Sequence, residues 1–143
     1  MTITPDLLEA ELTLVSATAR VEFLVRRQAA SPSQNVAGED DFWFQVDAVG
    51  SGLDRPEALE LVALAEVIAR KLAETRAVGV EAALRAGAGW DEIAAAAAVD
   101  PGTAWDRHDG WVRAQAEAHR RGQAGLDDAS ATAAHALAGP RPR

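Results

Sequence analysis

The stretch WDEIAAAAAVDPGTAWDRHDGWV, residues 90–112, predicts two helices joined by a very short turn. Three residues of the first helix recur at the spacing of its turns and share one face: Trp90, Ile93 and Ala97. Small side chains beside them let a second helix approach closely. Asp100 is a favoured N-cap residue and Pro101 a favoured first helical residue, so the second helix begins at once. Two helices joined this tightly must cross at a steep angle.

This stretch and the helix before it resemble the helix-turn-helix domains of small bacterial DNA-binding regulators. In that family a long helix ends in a Gly/Ala turn, W-x-E-I-A/G-x-A-L-G-V follows, and a recognition helix ends in W-x-R and an aromatic residue. The resemblance covers about residues 66–113, a third of the chain. Ala98 stands where the family usually has glycine, and His108 stands at the aromatic position. The matching residues are Trp90, Glu92, Ile93, Ala94, Ala97, Val99, Ala104, Trp105 and Arg107.

The resemblance implies that a recognition helix over about residues 101–109 enters the major groove of double-stranded DNA. Thr103 and Arg107 have side chains suited to phosphates or bases, whereas Asp100 and Asp106 would repel the phosphates. Arginines beyond this helix, Arg113 among them, are available to hold the DNA backbone. The DNA-binding residues implied in this way are Gly102, Thr103, Trp105, Asp106, Arg107 and Arg113.

The charge distribution leaves two functional interpretations open. The net charge is −8, which opposes binding to a polyanion. Residues 1–100 carry 8 Lys/Arg against 17 Asp/Glu, but residues 101–143 carry 6 against 5. The first interpretation is a transcriptional or architectural DNA-binding regulator. The alternative is an acidic helical protein–protein interaction module on a helix-turn-helix scaffold that does not bind DNA, with a protein partner bound through the acidic N-terminal region.

The pattern along the chain predicts an all-α fold of long helices with a C-terminal helix-turn-helix, assembled as a helical dimer. A central helix over 56–86 would be roughly 45 Å long and apolar around much of its circumference. We therefore expect a homodimer through this helix; the alternative is that the first helix and the aromatic segment cover it. The single helical domain, residues 1–121, comprises a helix at 5–30, a loop and aromatic linker at 31–55, the central helix, and the helix-turn-helix at 88–121. Residues 122–143 are expected to form a partly disordered tail in which Asp127 or Asp128 starts a short helix.

Several classes of function lack their sequence signals. The chain has no cysteine, and its three histidines do not place two metal ligands on one helical face. No nucleophile motif accompanies His108, and the glycine turns lack the Lys-Ser/Thr of a phosphate loop. We therefore expect no enzyme activity, metal or cofactor. No apolar run approaches the roughly 18 residues of a membrane span, so a cytoplasmic protein is expected.

Overall fold

The computed structural model describes residues 3–30 and 52–143, and these residues form six helices and no strand. The all-α fold class is confirmed. Residues 31–51, which hold most of the predicted aromatic linker, lie outside the described residues. The helices are α1 (Pro5–Glu11), α2 (Leu14–Ala29), α3 (Arg55–Arg85), α4 (Trp90–Ala97), α5 (Pro101–Arg120) and α6 (Asp128–Ala138). No helix within the described ranges has the length and apolar character needed to cross a membrane.

The region predicted as one helix over 5–30 forms two helices. Leu12 is extended, with φ −112° and ψ 135°, and it separates α1 from α2. Thr13 caps α2, because its hydroxyl oxygen accepts a hydrogen bond from the backbone N–H of Ser16 at 3.2 Å. The apolar pattern continues through the break since Leu8 and Leu12 both pack against the same core cluster. Periodicity alone therefore does not reveal where one helix ends and the next begins.

The chain divides into two compact units, residues 1–71 and 72–143. In unit 1, the first two helices pack against the first half of α3 around Ala17, Leu24 and Leu64, which are all fully buried. Arg20 of α2 joins Glu60 of α3 through two hydrogen bonds of 2.7 Å. Helices α1 and α2 thus cover part of the central helix in this unit, as in the alternative to a dimer; most of the aromatic segment of that alternative lies outside the described residues.

Asp54 caps the start of α3, as its position before Pro56 and Glu57 indicates. Its carboxylate accepts from the backbone N–H of Glu57 at 2.8 Å, and the Glu57 carboxylate accepts from the backbone N–H of Asp54 at 3.0 Å. This reciprocal pair satisfies two donors that the first turn of a helix leaves unpaired. The predicted start of the central helix is therefore within one residue of the observed one.

Unit 2 contains the second half of α3 with α4, α5 and α6. One core cluster lies around Ile93, Ala94 and Ala104, where α4 meets α5. A second joins α5 to α6 through Val112, Ala116, Ala131 and Ala134.

The 22 residues predicted as a partly disordered tail with one short helix, 122–143, include the 11-residue helix α6. Asp127 caps α6, accepting from the backbone N–H of Ser130 at 2.7 Å, and alanines of α6 are buried against α5. The preceding loop lies close to α5, since a Cβ atom on Gly125 would lie 2.2 Å from the carbonyl oxygen of Gln115.

Candidate nucleic-acid interface

The connection between α4 and α5 consists of Ala98, Val99 and Asp100. Ala98 adopts the left-handed conformation, with φ 54° and ψ 42°, at the position where the resembled family usually has glycine. This conformation costs an alanine about 1 kcal/mol. The backbone N–H of Val99 donates to the carbonyl of Ala94 at 3.0 Å, which closes the end of α4.

Asp100 is the N-cap of α5. Its carboxylate accepts from the backbone N–H of Thr103 at 2.8 Å and from the Thr103 hydroxyl at 2.5 Å. The hydroxyl, followed by the backbone amide, holds the pKa of Asp100 below its ordinary value. The acid therefore stabilises the helix start. The Thr103 hydroxyl, predicted to contact DNA, donates to this cap in the structure.

Two of the three tryptophans in residues 90–112 bind the end of α6. The indole N–H of Trp90 donates to the carbonyl of Ala138 at 2.9 Å, and that of Trp105 donates to the carbonyl of Gly139 at 3.1 Å. Carbonyls at the end of a helix have no partner within the helix, so these bonds satisfy acceptors that would otherwise need water. Residues 138–141, called the C-terminal segment below, are thereby fixed to the start of both α4 and α5.

Asp106 forms a bidentate ion pair with Arg141, whose Nε and Nη2 donate to the two carboxylate oxygens at 2.8 Å each. The guanidinium holds the pKa of Asp106 below its ordinary value, and the carboxylate raises that of Arg141. Gly102 lets this arginine approach, since a Cβ atom there would lie 2.9 Å from the Arg141 Nη2. The acid that should repel phosphates is therefore paired within the chain.

Arg107 and Arg113 are exposed along α5. Arg113 pairs with Asp109 at 2.9 Å. Across the described part of the chain, no carboxylate lies within 4 Å of the Arg107 guanidinium. Of the six predicted DNA-binding residues, Arg107 is thus the one with an exposed and unpaired charge. Gly102, Trp105 and Asp106 contact the C-terminal segment instead.

Arg141 belongs to this surface and sequence reasoning missed it. The residues that end the chain, GPRPR, resemble an unstructured terminus, because proline and glycine prevent helix continuation. The only signal in the sequence for this contact was complementary charge. A short basic segment follows the alanine-rich helix, and the predicted recognition helix of the same chain is acidic. Nothing in the local pattern indicated that the two would meet.

His108 is buried, with 4% of its surface exposed. Its ring lies between two indoles, with centroid distances of 6.1 Å to Trp90 and 6.4 Å to Trp111. Neither ring nitrogen has a hydrogen-bond partner among the described residues. Burial lowers the pKa of His108; Glu81 and Asp109 oppose this shift, and His135 adds to it. The imidazole therefore occupies an aromatic environment, at the position where the resembled family has an aromatic residue.

Comparison with known proteins gives no match: no protein-family model, curated protein or solved structure is significantly similar to the chain. The resemblance to helix-turn-helix regulators therefore stays a prediction from the sequence. Over residues 3–30 and 52–143, no group of three or more His, Asp or Glu side chains is placed to hold a metal ion.

The buried His108 predicts a pH-dependent stability. Its folded pKa lies below the ordinary value of 6.5, so the unfolded chain binds more protons as the pH falls through this range. Its contribution is full above pH 6.5 and decreases as the pH falls toward the folded pKa. We expect urea denaturation to show a smaller loss of stability between pH 7.5 and 5.5 for His108→Phe than for the wild-type chain. His119→Gln, on the exposed surface of α5, is the control and should retain the wild-type loss; an unchanged loss in His108→Phe would contradict the prediction.

Proposed function

We propose that the chain is a cytoplasmic DNA-binding protein, a transcriptional or architectural regulator. In this proposal α4, the three-residue turn and α5 act as a helix-turn-helix, with a recognition helix at about 101–109. The observation that carries the proposal is the outer face of α5. Asp106, Arg107, Gly110 and Arg113 recur at helical spacing and are all exposed. A continuous exposed face with an unpaired cation is what a helix needs to meet the phosphates and base edges of a groove.

The ion pair between Asp106 and Arg141 reduces the main objection to DNA binding. A free carboxylate on the groove-facing surface would repel phosphates, but the guanidinium offsets its charge at 2.8 Å. The other acid, Asp100, is engaged by the first turn of α5. The C-terminal segment therefore makes the start of α5 less acidic than its sequence indicates.

The contacts suggest a division of roles on this surface. Arg107 would contact a phosphate or a guanine edge, since its guanidinium has no partner to give up. Arg113 would exchange its exposed pair with Asp109 for a phosphate of the DNA backbone. Trp105 and Gly102 would act indirectly, because they contact the C-terminal segment that supports the start of the helix. Arg141 would also act indirectly, because it offsets the charge of Asp106.

The alternative function, an acidic interaction module, is not favoured by a specific contact. In unit 1, several of the acids that would bind a basic partner are already engaged by arginines. Arg70 pairs with Asp6 at 2.8 Å and with Glu9 at 3.3 Å. Arg20 likewise pairs with Glu60. A basic partner would have to displace these internal pairs.

The proposal includes a homodimer through the central helix. Leu59 and Val62 lie on α3 in unit 1 and are 54% and 68% exposed. Large apolar side chains exposed next to one another favour burial against another surface. A second copy of the helix would supply an apolar surface of the same kind, and a dimer would present two recognition helices to two DNA half-sites.

DNA binding is tested with duplex fragments from the source genome at several salt concentrations. We expect affinity to fall steeply with salt, since arginines displace the counterions of the phosphates. Arg107→Ala should weaken binding about tenfold, the loss of one groove or phosphate contact. Arg26→Ala is the matched control, because Arg26 is an exposed arginine of α2 paired with Glu22. Absence of duplex binding at low salt, with the wild-type helical content intact, would contradict the proposal.

The dimer is tested by Val62→Asp, followed by light scattering or sedimentation. A charge placed in an apolar interface is desolvated without a partner, so the dimer dissociation constant should rise by tenfold or more. Val15→Asp is the control: Val15 is 80% exposed on α2, outside the proposed interface. A wild-type chain that is monomeric at tens of micromolar, or equal behaviour of the two variants, would refute the interface.

A further inference from the structure

Unit 2 contains a small, partly open cavity of about 70 Å³ between the second half of α3, α4 and α5. Val80, Ile93 and Trp111 contribute an apolar wall. Arg76, Arg107 and His108 contribute the polar groups. The combination of an apolar interior with a few convergent polar groups is typical of sites for small molecules.

The two arginines at this cavity carry charges that the described chain does not neutralise. No carboxylate in the described ranges lies within 4 Å of the guanidinium of Arg76 or of Arg107. Other arginines of the same unit are paired: Arg85 with Glu81, and Arg113 with Asp109. Two unpaired guanidinium groups at one cavity favour an anion, and guanidinium geometry suits the two oxygens of a carboxylate.

His108 is the second, independent indication of a ligand. It lines the same cavity, is 4% exposed, and has no hydrogen-bond partner at either ring nitrogen among the described residues. Buried polar atoms are nearly always hydrogen-bonded, so an unpaired imidazole in a cavity wall needs an explanation. A neutral imidazole offers one donor and one acceptor, and a half-turn of the ring exchanges its nitrogen and carbon positions without changing its outline. A ligand oxygen at the cavity wall would supply the missing acceptor.

We propose that this cavity binds a short-chain aliphatic monocarboxylate. The carboxylate of the ligand lies at Arg76 and Arg107, with His108 as a further donor. The alkyl chain of the ligand enters the apolar part of the cavity. The volume is about half of the roughly 150 Å³ that accommodates benzene, which limits the buried chain to about two to four carbons. Inorganic phosphate would satisfy the arginines but leave the apolar wall empty. The inference does not depend on DNA binding.

The test is a titration of the full chain with sodium butyrate at pH 7.5, followed by ¹H–¹⁵N NMR with sodium chloride adjusted to constant ionic strength. For so small a ligand we expect saturable shifts with a Kd on the order of 1 mM. These shifts should include the Arg76, Arg107, His108 and Trp111 signals. Arg76→Met and Arg107→Met should each weaken binding about tenfold by removing the charge while retaining much of the apolar stem. Arg113→Met is the matched control and should bind as the wild-type chain does.

Two further arms use butyramide, which has the same chain without the charge, and inorganic phosphate, which has the charge without the chain. Both should bind at least about tenfold more weakly than butyrate. His108→Phe should reduce butyrate affinity by about threefold to tenfold, the loss of one hydrogen bond. The proposal is overturned if butyrate shifts do not saturate by about ten times the expected Kd, if phosphate or butyramide matches butyrate, or if Arg113→Met weakens binding as much as Arg107→Met. Because no DNA is present, failure here is distinguishable from failure of the DNA-binding proposal.

Discussion

Two indole hydrogen bonds hold the end of α6 against the helix pair on which the proposed function depends. Trp90 and Trp105 donate to the consecutive carbonyls of Ala138 and Gly139, so α4 and α5 satisfy two acceptors at the end of α6. The contact positions the residues that follow, and Arg141 then reaches Asp106 over Gly102. Without it, Asp106 near the start of α5 would be an unpaired acid, and only the packing of α6 on α5 would hold the C-terminal residues.

The features that sequence reasoning predicted are those determined by neighbours in the chain. The caps at Asp54, Asp100 and Asp127 depend on a side chain and a backbone N–H three residues later, and all three are observed. The all-α class follows from apolar periodicity, which is equally local. The break at Leu12 was missed because the apolar pattern runs through it while Thr13 supplies a new cap.

The candidate site was only partly predictable because its important contacts join distant residues. Asp106 and Arg141 are 35 positions apart, and no spacing rule relates them. His108 was recognised as a departure from an aromatic position, but its burial between Trp90 and Trp111 depends on how α4 packs against α5. The guanidinium of Arg113 is paired and that of Arg107 is not, because only Arg113 has an acid one helical turn before it.

The indole contacts can be measured directly by hydrogen exchange at the tryptophan side chains in the intact protein. The Nε1 protons of Trp90 and Trp105 are bonded to carbonyls, whereas that of Trp111 donates to none of the described residues. The account predicts that both protons exchange at least about tenfold more slowly than that of Trp111, because exchange requires the C-terminal segment to open. Equal exchange at all three indoles would contradict it, since the C-terminal segment would then not be bound to the helix pair.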